Sequence, residues 1–231
     1  MSILLYDLCG ADEDRRFSPY CWRTKMALMH KGLDFETEPV RFGTFDKIAF
    51  SGRKLIPVLV DGDTTVGESF DIACYLDDAY PDRPTLFGGA VGRAEARFLN
   101  SWVDTVMVPA GAPLYVLDIF GHLHDDDKAY FRETREKRFG TTLEQFCSGL
   151  DAKAEAFRNA LTPLRVTLAA QNFVCGDAPA YGDYILFGSL AGSRTVSAFR
   201  QLDPDDPVHA WRGRMLELFG GYAASAKGYP V

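Results

Sequence analysis

The residues best placed to do chemistry stand together in Ser18-Pro19-Tyr20-Cys21-Trp22-Arg23, which joins a hydroxyl, a proline and a thiol at one helix start. Serine in the capping position and proline at the first helical position define that start. The free N–H groups and the positive end of such a helix favour an anion. A bound thiol has a reference pKa of about 8.5, and each unit of depression requires roughly 1.4 kcal/mol of preference for the thiolate. A hydroxyl donor and a helix end together supply that much, so the chemistry is stabilisation of a thiolate. The plainer alternative is that Ser18 only caps the helix. Cys21 itself can be read as a redox nucleophile or as a buried spectator thiol.

Two further places carry polar or backbone features of the same kind. Ile56-Pro57 enters a β-forming run, where a cis bond would turn the preceding backbone outward toward an extended ligand. Glu68-Ser69 sets a carboxylate and a hydroxyl before another helix, where they can receive an ammonium and a carboxylate respectively. His122-Leu123-His124 beside Asp125, Asp126 and Asp127 is the one hint of a metal, and a solvated loop leading into a helix start explains those acids without one. No metal is expected. The chain contains no dinucleotide, Walker or nucleophile-elbow motif.

The elements that position these residues follow from periodicity and breakers. Residues 3–8 read as a strand, 18–31 as a helix closed by Gly32, and 35–40 as a second strand. Residues 41–54 read as irregular, with Gly43 and Gly52 as breakers. Residues 55–60 and 64–66 flank Asp61-Gly62-Asp63 as a hairpin, and 69–80 form a helix with Ile72, Ala73, Leu76 and Tyr80 on its buried face. Proline and glycine across 81–92 mark a linker. Beyond it strand signals vanish, and helical periods fill 93–121, 126–160, 180–197 and 208–219, with Pro109 and Pro113 expected to kink the first. The order β-α-β, β-β-α, then helices gives an α/β first domain over 1–84 and an all-α second domain over 93–231.

Composition limits the function classes. The 231 residues are 47% hydrophobic and 25% charged, which suits one large or two small folded domains. The net charge is −7, from 25 basic and 32 acidic side chains, and both halves carry more acid than base. Nucleic acid is therefore not an expected partner. The longest uncharged stretch, 105–117, holds two prolines and falls short of the ~20 residues a membrane-spanning helix needs. No signal-peptide pattern precedes the first strand. Five cysteines without a C-x-x-C spacing give neither a disulfide framework nor a zinc module, which fits a reducing cytoplasm.

Taken together, the three sites resemble those of the cytosolic glutathione transferases, with a thioredoxin-like amino-terminal domain and an all-helical second domain. The resemblance implies glutathione as cosubstrate, Ser18 as the activating hydroxyl, Ile56-Pro57 as the backbone clamp and Glu68-Ser69 as the γ-glutamyl site. It also implies a homodimer. SPYCWRTKMALMHKG at 18–32, YLDDAYPDRPTLF at 75–87 and YVLD at 115–118 are most similar to the β-etherase branch, which uses glutathione to cleave aryl ethers of lignin-derived dimers. A hydrophobic aromatic substrate would lie between the domains, walled by Phe17, Tyr20, Trp102, Met107 and Tyr115. Zeta-type isomerases share the same helix opening, so a glutathione-dependent isomerase of a small dienoic acid is the second reading, and a non-catalytic binding protein of the same fold is the third.

Three departures from the family pattern stand out. The chain stops at Val231, without the long tail of some etherases, so the pocket is expected to be enclosed differently. Leu55 replaces a polar residue, which leaves Lys54 or Arg53 to meet the glycine carboxylate of glutathione. Ala180 replaces the capping Ser or Thr of the core helix, a loss of about 1 kcal/mol, while Asp183 keeps the other half of that box.

Overall fold

The structure, a computed structural model, describes residues 3–230; Val231 lies outside the described residues. Strand β1 (Ile3–Leu8) alternates buried and half-buried side chains, as a strand with one face on a core must. It pairs in parallel with β2 (Phe35–Val40), Ile3 opposite Phe35, and antiparallel with β3 (Val58–Asp61), Leu5 opposite Leu59. Strand β4 (Thr64–Gly67) turns back on β3, giving the order β2-β1-β3-β4. The parallel pair needs a crossover, and α1 (Pro19–Lys31) supplies it. Gly32, at φ 63°, ends α1 and donates its N–H to the carbonyls of Leu28 and Met29. Helix α2 (Ser69–Ala79) follows the hairpin and buries Phe70, Ile72, Ala73 and Leu76. The first part is thus thioredoxin-like α/β, as expected.

Two local differences appear here. Residues 42–51 are wound as 3-10 helix rather than irregular, ending at Gly52 with φ 66°. Strand β3 begins at Val58, so Leu55 and Ile56 stand outside it, and the Ile56-Pro57 peptide bond is cis.

From Ala90 on the chain is helical. Helix α3 (Ala90–Trp102) runs through a π-helical turn (Val103–Met107) into α4 (Val108–Gly111) and a 3-10 turn (Ala112–Leu114), and then bends by 64° into α5 (Val116–His122). Pro109 does not kink the helix. It stands just after the π turn, whose register shift accommodates the missing N–H. The bend comes after Pro113, at Tyr115, whose φ of −148° breaks the helix.

The expected single helix over 126–160 is three: α6 (Asp125–Phe139), α7 (Leu143–Phe146) and α8 (Leu150–Ala160). Gly140 and Gly149 adopt φ of 70° and 67°, which a continuing helix cannot contain. Helix α9 (Thr162–Leu168) carried no sequence signal strong enough to assign. Helices α10 (Tyr181–Val196) and α11 (Pro207–Ser225) complete the chain, and α11 loses helical geometry at Leu218.

Helix α10 is the axis of the molecule, with 15 of its residues buried. Ala180 provides no side-chain cap. Asp183 offsets that loss, because its fully buried carboxylate accepts from the N–H of Ala180 (3.2 Å), Val174 (2.8 Å) and Cys175 (3.2 Å) and from Trp211 Nε1 (2.9 Å). One side chain therefore ties the preceding loop and α11 to the start of α10.

The histidine and aspartate run has structural uses of its own. The His124 ring accepts from the Asp126 N–H at 3.3 Å, and buried Asp127 accepts from the Gly43 N–H at 2.7 Å. Asp127 thereby holds the 42–51 segment against α6. Among the described residues no helix by itself is long and apolar enough to cross a membrane.

Candidate functional site

The start of α1 is built as its residue types dictate. Ser18 has extended backbone (φ −68°, ψ 121°), and its Oγ accepts from the Cys21 N–H at 3.3 Å. The first turn holds no acid that would neutralise the positive end. Trp22 Nε1 donates to the Arg16 carbonyl at 2.8 Å and so fixes the loop that delivers Ser18. Ser18 is only 4% exposed, which places the hydroxyl at the floor of any site.

Cys21 is fully buried, and that burial pushes its thiol well above the ordinary range. A thiol kept protonated in this way is a poor nucleophile.

The second domain sets the position of this turn through two glycines that the sequence analysis overlooked. A Cβ on Gly188 would stand against the Pro19 carbonyl oxygen and 2.9 Å from Arg23 Cγ, and one on Gly192 would lie 3.2 Å from the Phe17 carbonyl carbon. Helix α10 therefore packs directly on the backbone to either side of Ser18. The four-residue spacing of the glycines on one helix face was the available signal.

The other expected ligand positions lie on the hairpin and at the start of α2. Leu55 is 63% exposed, whereas Pro57 is buried. Lys54 is exposed, and Arg53 lies along Gly67, its Cγ 3.0 Å from where a Cβ there would be. Glu68 adopts φ 68° and ψ 123°, a backbone that few non-glycine residues take, and its exposed side chain does not cap α2. Ser69 is buried, and its carbonyl accepts from the Tyr181 hydroxyl at 2.7 Å. Helix α10 thus reaches this helix start as well.

Of the expected wall residues, Phe17, Met107 and Tyr115 are buried, while Tyr20 and Trp102 are half-buried. Burial raises the Tyr20 phenol, with Asp104 adding to the rise, and the charges of Arg23, Arg138 and Glu68 reach it too. Burial likewise pushes Tyr115 up to about 12, against a hydrogen bond from Ser189 and the charge of Arg138. Both phenols remain protonated donors at neutral pH.

Buried Arg23 stacks 4.8 Å from the Tyr20 ring centroid and donates to Asn100 Oδ1 (2.9 Å), Asp104 Oδ1 (2.7 Å) and the Ile185 carbonyl (3.2 Å). This network, which was also not read from the sequence, locks α1 to the second domain beneath Tyr20.

Comparison with known proteins agrees with this architecture. Residues 17–79 match the family model for the glutathione S-transferase N-terminal domain, and residues 94–216 match that for the C-terminal domain. Glutathione S-transferase Z2 of Arabidopsis thaliana is 33% identical over 108 residues, which covers 45% of this chain and 47% of that protein. A probable glutathione S-transferase GSTU1 of Oryza sativa subsp. indica is 33% identical over 111 residues, 43% of this chain and 48% of that protein. The chain thus spans about half the length of the curated relatives it matches. The crystal structure of a Ceriporiopsis subvermispora glutathione S-transferase in complex with glutathione superposes with a TM-score of 0.77 at 25% identity, covering 98% of this chain and 95% of that one.

Proposed function

The chain belongs to the glutathione S-transferase family, and on that premise we propose that it binds glutathione along its first domain and activates the thiol at Ser18. The observation that carries this reading is the start of α1: a serine-capped first turn free of acids, wedged against α10. Exposed Glu68 receives the cosubstrate's ammonium, Ser69 and the α2 N–H groups its neighbouring carboxylate, and Lys54 or Arg53 the glycine carboxylate. The Ile56 backbone ahead of Pro57 pairs with the extended tripeptide. Ser18 Oγ donates to the sulfur, and the helix end holds its negative charge.

The bound cosubstrate is then the nucleophile. Its thiolate forms a carbon–sulfur bond to an aromatic electrophile, and the leaving group departs with the electron pair of the broken bond. In the finer β-etherase reading that group is a phenolate, stabilised by hydrogen bonding from the protonated Tyr20 and Tyr115. In the isomerase reading the thiolate adds and is expelled again, so the product contains no sulfur, and product mass separates the two.

Ser18→Ala tests the central step. Loss of one donor to a developing or resident anion is expected to lower kcat by about 10²-fold, while glutathione affinity measured by calorimetry stays within about threefold. Full turnover in that variant with a generic aryl halide or an aryl ether removes Ser18 from the chemistry. No heat on titrating the wild type with glutathione would favour a non-catalytic role for the fold.

A further inference from the structure

Four cations are buried among the described residues, and three of them are neutralised in place. Arg23 takes Asp104 at 2.7 Å, Lys25 takes Asp7 at 2.9 Å and Lys31 takes Asp77 at 2.8 Å. The fourth is Arg212, on the second turn of α11 and only 6% exposed. Among the described residues its guanidinium has neither a carboxylate at ion-pair distance nor a hydrogen-bond acceptor. Burial and the charge of Arg194 on α10 both work against its own charge. An arginine cannot escape by giving up its proton, so such a charge is costly until something answers it.

The guanidinium faces open space. Its nitrogens are unpartnered yet not closed off by protein atoms, unlike Nη1 of Arg16 and of Arg41, and the side chain lines a cavity of about 170 Å³. Phe199, Leu202 and Pro204 give that cavity apolar walls, and Arg200 and His209 supply its other polar lining. No acid lines it. The loop leading into α11 carries three acids, and none of them turns inward: Asp203 takes Arg158 at 3.1 Å, Asp206 takes Arg165 at 2.6 Å, and Asp205 is exposed.

The shape and charge of this space define what fits it. A water molecule occupies roughly 30 Å³ in the liquid, so there is room for a ligand of several heavy atoms. One buried positive charge calls for one negative charge, a planar fork of N–H donors for two coplanar oxygens, and the walls for an apolar body.

We propose that the cavity between residues 199–204 and α11 is a second ligand site, which takes a short aliphatic carboxylate. The carboxylate lies on Arg212 and the hydrocarbon chain against Phe199 and Leu202, with Arg200, an exposed side chain, at the rim. None of the lining residues is among those assigned to glutathione, so this site does not rest on the glutathione reading.

The experiment titrates butyrate and its neutral counterpart butyramide into the full chain, followed by ligand-observed NMR. Butyrate is expected to bind at least 10-fold more tightly, about 1.4 kcal/mol, with a Kd that saturating glutathione leaves unchanged. Arg212→Met should reduce the preference for the acid to less than about twofold. Its Tm should equal or exceed that of wild type, because the substitution removes an unanswered buried charge. Arg212→Lys should retain part of the preference, which a merely structural role would not produce. Arg200→Gln is the second variant should Arg212→Met fail to fold, and a several-fold loss of butyrate affinity is expected from it.

Equal affinity for acid and amide in the wild type, displacement of butyrate by glutathione, or an undiminished preference in a folded Arg212→Met overturns the proposal. Inorganic phosphate binding more tightly than butyrate removes the organic acid as the occupant. Butyrate binding that appears only when two glycines are added after Val231 would make the chain's own carboxylate the occupant, and the ligand site falls.

Discussion

Two helix starts face the proposed cosubstrate, and they are built in opposite ways. That of α1 is sealed: Ser18 is 4% exposed and capped through its own hydroxyl, with α10 pressed on the flanking backbone. That of α2 is open: Glu68 is exposed, has no capping bond and holds φ 68°. Helix α10 fastens both, but by different means. At α1 it uses close backbone approach at Gly188 and Gly192, which tolerates no added atom. At α2 it uses one side chain, Tyr181, whose hydroxyl donates to the Ser69 carbonyl and whose ring packs on Phe70. The end assigned to chemistry is thus set by close backbone packing, which is stiff, and the end assigned to binding by one side chain and a strained residue.

The largest effect should come from breaking the packed end. Gly188→Val forces branched carbon into the Pro19 carbonyl and Arg23, and overpacking of this kind costs about 3 kcal/mol. For a chain of 231 residues that is a fall in Tm of roughly 6–12 °C. Because the displaced backbone carries Ser18, kcat should fall by about 10²-fold as well. Gly213→Ala is the control, since a Cβ there meets nothing within 4 Å, and replacing glycine within α11 should add roughly 0.5–1 kcal/mol. Equal thermal shifts in the two variants would show that close approach at Gly188 is not what holds the α1 start.

Tyr181→Phe probes the other fastening. The ring stays between Phe70 and Phe87, at centroid distances of 5.7 and 5.2 Å, and only the bond to Ser69 is lost. Leaving a buried acceptor without its donor costs about 1–2 kcal/mol. The kinetic expectation is a rise of several-fold in KM for glutathione with kcat unchanged, the opposite split from Gly188→Val. A fall in kcat with KM unmoved would mean that the two helix starts are not independent.

The same contrast explains what could be read in the sequence. The order of strands and helices through Ala79 was legible because each element is bounded by local chemistry: Ser18 and Pro19 open α1, Gly32 closes it, and Asp61-Gly62-Asp63 turns the hairpin. In the helical part the outlines were legible but not the breaks. Gly140 and Gly149 end helices because of the φ they adopt, and a glycine in a helical period does not announce its φ.

Ala180 read as a lost cap because only its own side chain was considered. Asp183 gathers four donors, from Ala180, the preceding loop and α11, and three of them lie outside the capping box. Likewise Ser18, Glu68 and Ser69 are marked by residue types at helix starts, whereas Gly188, Gly192 and Arg23 matter through partners 77 to 175 positions away. No local pattern carries that information.

Glu68 allows the smallest and sharpest test of the open helix start, because its two peculiarities can be separated. Glu68→Gly removes the carboxylate and also relieves the left-handed backbone, which costs a residue with a Cβ about 1 kcal/mol. Glu68→Gln removes the charge and keeps the backbone cost. If the strain is held for the sake of ligand placement, the glycine variant should be more stable than wild type by about 1 kcal/mol, or roughly 2–4 °C in Tm, and the glutamine variant should match wild type. Both should bind glutathione about tenfold more weakly by calorimetry, since each loses the charged partner of the ammonium. Unchanged affinity in Glu68→Gln would detach that ammonium from Glu68. A glycine variant no more stable than wild type would mean that the φ of 68° is supported by the surrounding turn rather than imposed on it.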